Sequence, residues 1–236
     1  MQLRHEYKYL ISTHTAAIVR SRISAFMTPD ENGASYTVYN LYLDDVYDSY
    51  YLDKHRGNHV RDKYRLRYYN GNLDFIRLER KHKEGTLAYK DTMLISQEQY
   101  LKIKSGDLGF ITELAVADGE KPTLLQNLGI IHRIKQLRPT AFYAYQREAF
   151  VYAPGNVRFT FDSPPFDPEG NSSTGINDFR VSVYGNPVYN LLLEIKYTGF
   201  MPEVIKRIMG GLPLAHTEMS KYSIVRERGI LPYGTT

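Results

Sequence analysis

The chain has 236 residues, 42% of them apolar and 24% charged, with a formal net charge of +4 and no cysteine. That length fits one large domain or two small ones, and the lack of cysteine excludes disulfides, thiol catalysis and Cys-ligated metal. The modest positive sum does not by itself imply a polyanionic ligand, so the placement of the charge carries more information than its total. Tyrosine is heavily used, with 21 Tyr and no Trp, which suits half-buried strands.

The opening MQLRHEYKYLIS holds no apolar core long enough for a signal peptide, and no stretch approaches the roughly 18 apolar residues of a membrane span. A soluble cytoplasmic protein with no membrane segment is the expectation. Residues 3–11 alternate, with Arg4, Glu6 and Lys8 on one face. Ser12 or Thr13 can cap a helix over about 16–26. A turn follows at Pro29 to Gly33, then a β-branched and aromatic strand at 35–43 and an acidic, Tyr-rich connection at 44–53.

Residues 63–84, KYRLRYYNGNLDFIRLERKHKE, are two alternating runs around Asn70-Gly71, a strong hairpin signal. Lys63, Arg65 and Arg67 share one face of the first run, with Tyr64, Leu66 and Tyr68 opposite. Arg77, Glu79, Lys81 and Lys83 share one face of the second, with Ile76 and Leu78 opposite. Like charges facing one another destabilise a bare hairpin. Water and salt, interleaved carboxylates or a polyanion must offset that cost.

A further strand is expected at 86–95, carrying Lys90, then a helix over 97–104 and short helices within 107–138 that pack or cover. Strands resume at 141–152, with Tyr143, Tyr145 and Arg147 on one face, and at 156–162, with Arg158, Thr160 and Asp162 on one face. A loop at 163–177, a short strand at 179–184 and a strand at 188–197 with Glu194 and Lys196 in phase complete the sheet. Helices are expected over 202–209, stopped by Gly210-Gly211, and over about 217–228.

Charged residues at spacing i, i+2 recur on nearly every strand, opposite aliphatic or Tyr faces. Charged faces turned outward would leave an ordinary core. Turned inward in a closed sheet, they would line a polar lumen, with apolar outer faces under helices. Strand order in the sequence does not choose between the two. The dominance of Arg and Lys over mixed polar residues favours the inward arrangement, as does the apolar surface the helices supply. The expected architecture is one α+β domain over 1–236: a closed antiparallel β-barrel of about eight strands forming a polar tunnel, with helices outside and at the ends.

Seven motifs carry a family resemblance: Arg4-x-Glu6-x-Lys8-Tyr9, Tyr64-Arg65-Leu66-Arg67, Glu79-Arg80-Lys81, Tyr145-x-Arg147, Arg158 with Asp162, Leu193-Glu194-x-Lys196-Tyr197 and Met219-Ser220-Lys221-Tyr222-Ser223. In this order they resemble the VTC domain, the polyphosphate polymerase domain of the triphosphate tunnel metalloenzyme (CYTH-like) superfamily. The resemblance implies transfer of the ATP γ-phosphoryl group to a growing polyphosphate chain. It implies catalytic roles for Arg65, Arg67, Lys81, Arg147 and Lys221, substrate contacts from Lys8, Lys90, Tyr145, Arg158 and Ser220, and Mn²⁺ or Mg²⁺ on Glu194. Glu6 and Glu79 are candidates for supporting or second-metal groups. Hydrolases of the superfamily open with Glu-x-Glu-x-Lys. Arg4 stands at the first Glu position here, which favours the polymerase branch over a triphosphate hydrolase.

Phosphoryl transfer needs positioning and charge neutralisation more than covalent help, and Arg and Lys on rigid strands supply both. The expected partners are ATP and polyphosphate. A tunnel hydrolase and a non-catalytic polyphosphate binder are the other readings. Nucleic acid is not expected: no basic tail, nucleic-acid motif or compact aromatic stacking motif is present. His5 and His82 fall opposite the charged sets and read as structural.

Overall fold

The computed structural model describes residues 4–85, 87–114, 121–169 and 191–227. In chain order the elements are β1 (Arg4–Ile11), α1 (Thr13–Ile23), β2 (Thr28–Pro29), β3 (Ser35–Asp44), α2 (Ser49–His55), β4 (Val60–Tyr69), β5 (Asn72–Glu84), β6 (Leu87–Ile95), α3 (Gln97–Lys104), α4 (Gly109–Thr112), α5 (Leu124–Lys135), β7 (Arg138–Tyr152), β8 (Val157–Asp162), β9 (Leu191–Thr198), α6 (Glu203–Met209), β10 (Ala215–His216) and α7 (Lys221–Glu227). The strand expected at 179–184 and the start of the one expected at 188–197 lie outside the described residues.

The described residues divide into two compact units, one formed by residues within 4–37, 145–166 and 191–221, the other by those within 38–144, 167–169 and 222–227. Strands β3 and β7 each run through both.

In the first unit the strand order is β10-β1-β9-β8-β7, with β2 beside β7. The Ser12 hydroxyl accepts from the Thr15 N–H at 3.0 Å and starts α1, as the capping signal predicts. The apolar faces of β8 and β9 (Val157, Phe159, Phe161, Leu193, Ile195, Tyr197) pack against Ala16, Val19 and Ile23 of α1 and Ile205 and Ile208 of α6. Each of these large side chains contributes about 1.5–3 kcal/mol when fully buried, so this face holds the helices and the other is left to polar residues.

The second unit repeats the plan with the order β7-β3-β4-β5-β6. Asn70 and Gly71 both adopt positive φ, 51° and 72°, the tight turn that the Asn-Gly pair predicts. Leu41, Leu43, Tyr64, Leu66, Tyr68, Ile76, Leu78 and Ile95 pack against Tyr100 and Ile103 of α3, Ile111 of α4 and Leu125 and Leu128 of α5. Helix α5 sits so close to α4 that a Cβ on Gly129 would lie 2.1 Å from the Ile111 carbonyl oxygen. The acidic connection proves structural. Asp44 accepts from the N–H groups of Tyr50 and Tyr51, each at 2.9 Å, and Asp45 accepts from those of Tyr47 at 2.9 Å and Ser49 at 3.0 Å. Together they satisfy the first turn of α2.

One expectation is corrected. The pairing among the described residues is an open path that starts at β10 and ends at β6, so the sheet is not closed into a barrel. Alternation determines which face of a strand is charged, but closure depends on stagger, tilt and pairing of the two edge strands, which a period of two does not specify. Strands β2 and β10, two residues each, are too short to show a period at all.

Candidate phosphate-binding site

In the second unit the charged faces of β4, β5 and β6 form cross-strand rows. Arg65 stands opposite Glu79, and Lys63 opposite Lys81, which in turn faces Lys90. Glu79 is 1% exposed. It accepts from Arg65 Nε at 2.6 Å and from Lys90 Nζ at 2.8 Å. Burial alone would raise its carboxyl, but the Arg65 and Arg67 guanidiniums and the Lys90 hydrogen bond outweigh that and bring it down to about 2. Arg65 also donates to the Tyr42 hydroxyl at 3.1 Å. Arg67 donates twice to Asn40 Oδ1, at 3.0 and 2.8 Å. Lys81 is exposed and makes no ion pair among the described residues.

In the first unit Asp162, fully buried, gathers two of the expected catalytic cations. Arg147 binds it through two hydrogen bonds at 2.6 and 2.7 Å, and Lys221 Nζ lies 2.6 Å from Oδ2. Lys221 also stands 4.6 Å from the centroid of the Tyr145 ring, with the Arg147 guanidinium 5.3 Å from the same ring, so Tyr145 is a cation–π platform. Burial would raise the Asp162 carboxyl, but Arg147 and Lys221 hold it below the usual carboxylate range. Glu194 is 7% exposed and receives Lys196 at 2.7 Å, Lys8 at 3.7 Å and Arg147 at 3.9 Å. Lys196, Lys221, Lys8 and Arg147 overcome its burial and keep it well below the usual range.

Arg158 is held by the Asp30 carboxylate and by the Tyr36 hydroxyl at 2.9 Å, while its Nε is buried without a partner. Ser220 immediately precedes α7. The structure thus joins Lys8, Arg147 and Lys221 through the two carboxylates Asp162 and Glu194 and the Tyr145 ring in one unit. In the other, Glu79 joins Arg65 and Lys90.

Sequence reasoning missed the groups that hold these cations. Asp162 appears in the motif list but is assigned no role, and Asn40 and Tyr42 sit inside a run that reads as apolar strand. A signal exists: Asn40 is the lone amide in SYTVYNLYL, and Asn40 and Tyr42 are two apart, hence on one face. His82, expected to be structural, lies 2.9 Å from Asp62 on the other face of β5, where Arg80 also meets Asp62 at 2.8 Å.

The donors around Glu194 fit a hard divalent cation in part. Glu6 shares Lys8 and Lys196 with it, and Asp162 shares Arg147. No group of three acidic or His residues that could hold a metal occurs among the described residues. Thr160 Oγ1, on the residue opposite Glu194 in the β8–β9 register, is buried without a hydrogen-bond partner. One or two carboxylates with substrate oxygens completing the shell is the usual arrangement for Mg²⁺ on phosphates. No helix among the described residues is long and apolar enough to cross a membrane.

The family description "VTC domain" matches residues 3–227. No curated protein sequence matches the chain. Among solved structures, the chain is similar to a "putative adenylate cyclase" from Bacillus halodurans, with a TM-score of 0.51 at 17% identity over 93% of this chain and 94% of that one. The PH1819 protein from Pyrococcus horikoshii OT3 gives a TM-score of 0.49 at 12% identity, over 96% and 99% of the two chains. At such identities the first likeness speaks for the fold alone. The family match spans nearly all of the sequence, and the seven motifs, the buried carboxylates and the cations they hold fall within it: the chain belongs to the VTC-domain family.

Proposed function

We propose that this protein is an ATP–polyphosphate phosphotransferase. The terminal oxyanion of a polyphosphate attacks the γ-phosphorus of ATP, a new P–O bond forms, and the bond to the β-phosphate oxygen breaks. ADP leaves with the electron pair. The nucleophile is already ionised, so no strong general base is needed, and the work falls on groups that align and neutralise oxygens.

The observation that carries this reading is the anchoring of Arg147 and Lys221 on fully buried Asp162. A carboxylate held this way fixes two cations in advance, so they need not reorganise as charge shifts during transfer. Arg65 and Arg67 are fixed likewise by Glu79 and Asn40. We assign Arg65, Arg67, Lys81, Arg147 and Lys221 to the reacting phosphates. Lys8, Lys90, Tyr145, Arg158 and Ser220 are assigned to the flanking ones. Mn²⁺ or Mg²⁺ held by Glu194 with Glu6 would neutralise phosphate charge. Arg4 in place of a carboxylate supports transfer to polyphosphate over hydrolysis.

The test is incubation of the purified protein with ATP and Mn²⁺, followed by gel separation of acid-labile polymer. Chains longer than triphosphate support the assignment. Orthophosphate as the sole product makes the protein a hydrolase, and bound polyphosphate with no turnover makes it a binder. Arg65→Ala and Lys221→Ala should abolish polymer while the fold, followed by circular dichroism, remains.

A further inference from the structure

The cationic face of β4 and β5 continues past the residues assigned above. Lys81 stands between Lys63 and Lys90, and one row further on Arg61 faces Lys83, which faces Ala88. From the Arg67–Arg77 row to the Arg61–Lys83 row there are four rows, spanning roughly 20 Å at about 3.4 Å per residue. Among eight cations on this face (Arg61, Lys63, Arg65, Arg67, Arg77, Lys81, Lys83, Lys90) stands the single carboxylate of Glu79. Glu79 serves Arg65 and Lys90. Arg61, Lys63, Lys81 and Lys83 have no ion pair among the described residues.

An outward solvated face could carry such charges at little cost, but this one is not fully solvated. Arg61, Lys63 and Lys83 are each half-buried. Lys63 Nζ sits 5.3 Å from the centroid of the Tyr222 ring, which stacks on Tyr42 at 4.3 Å. Burial, followed by Lys54, Lys81 and Arg61 against the opposing influence of Tyr42, pushes the Lys63 ammonium down to about 8. Directly opposed like charges destabilise a sheet. An anion laid along the rows removes that penalty.

We propose that Arg61, Lys63 and Lys83, together with Lys81, form a track that grips a linear polyphosphate beyond its terminal phosphates, so that the protein binds long chains in preference to short ones. The proposal rests on the phosphate-transfer reading above and specifies the substrate: a chain longer than the triphosphate that the Arg65 and Arg67 rows engage. A nucleic acid fits less well. The rings beside Lys63 are buried and stacked on each other, and the β6 neighbours of these rows are Ala88 and Lys90, so among the described residues these rows present no free ring for a base to stack on.

The experiment compares the full chain with a Arg61→Gln/Lys63→Gln/Lys83→Gln triple variant. Tripolyphosphate and a polyphosphate of several tens of residues are titrated at a series of salt concentrations. Removing like charges relieves repulsion, so the triple variant should unfold at the same or higher urea concentration. Long-chain affinity should fall, and the slope of log K against log salt should flatten by about 2 to 3, at roughly 0.7–0.9 per lost contact. Tripolyphosphate affinity should change little. A variant with Arg61→Lys, Lys63→Arg and Lys83→Arg should keep the preference for long chains.

An unchanged long-chain slope in the Gln variant overturns the track and leaves the phosphate reading standing. A wild-type protein that binds neither tripolyphosphate nor long polyphosphate overturns the phosphate reading itself. An oligothymidylate that displaces long polyphosphate at equal charge concentration assigns the rows to nucleic acid and also overturns the proposal.

Discussion

Glu79→Gln tests how the cationic face of β4–β6 is kept folded. The substitution preserves shape and removes the one negative charge that Arg65 and Lys90 share at 2.6 and 2.8 Å. In the folded protein the carboxyl is pulled from its ordinary 4.5 to about 2. At about 1.4 kcal/mol for each tenfold change in proton affinity, that displacement amounts to roughly 3 kcal/mol of stability at neutral pH. Partial exposure of Arg65 and Lys90 and the acceptor that Gln retains reduce the expected loss to about 2–3 kcal/mol. Because the folded carboxyl titrates below the unfolded one, its contribution is complete above about 4.5 and disappears as pH falls towards about 2. At pH 3 less than half remains. Urea unfolding followed by circular dichroism at pH 7 and pH 3 measures both gaps, and the neutral-pH difference corresponds to a midpoint shift of about 1 M. The variant should also bind tripolyphosphate more tightly, because Arg65 and Lys90 lose their internal competitor. A gap under about 0.5 kcal/mol at pH 7, or one that does not narrow on acidification, would refute the coupling of Glu79 to its cations.

Asp162→Asn leaves Arg147 and Lys221 without their shared charge. It should lower stability by about 3 kcal/mol or more and abolish polymer formation, and an Asp162→Asn/Arg147→Met double mutant should recover part of the stability. Polyanion binding should take up protons above pH 8, since an anion restores the ammonium of Lys63 that burial and Lys54, Lys81 and Arg61 hold at about 8. Affinity should therefore fall as pH rises from about 8 towards about 10, and calorimetry in two buffers of different ionisation enthalpy would show the uptake, diminished in Lys63→Gln. Gly129→Ala should destabilise by about 1–3 kcal/mol, read as a lowered melting temperature, because the added methyl meets the Ile111 carbonyl at 2.1 Å.

Much of the local structure was legible in the residues. The Asn70-Gly71 turn, the Ser12 cap, the helix over 97–104 and the split of β4 and β5 into apolar and cationic faces follow from φ preference, capping and a period of two. Arg65 and Glu194 stand out because charge recurs at i, i+2 on their strands opposite aliphatic residues, which is costly unless something uses it, whereas Arg147 and Lys221 are marked by the family resemblance. What could not be read was the set of partners. Asp162 meets Lys221 across 59 positions of chain, and Asn40 meets Arg67 across 27. No local pattern encodes such pairs, because they depend on strand order and register. The same limit explains the barrel closure that was expected and not found. The sequence alone settled which side chains share a face, since backbone geometry imposes that residue by residue. Only the tertiary structure decided which carboxylate neutralises which cation and which cations remain without one, because those outcomes depend on long-range strand pairing and on how far each group is withdrawn from water.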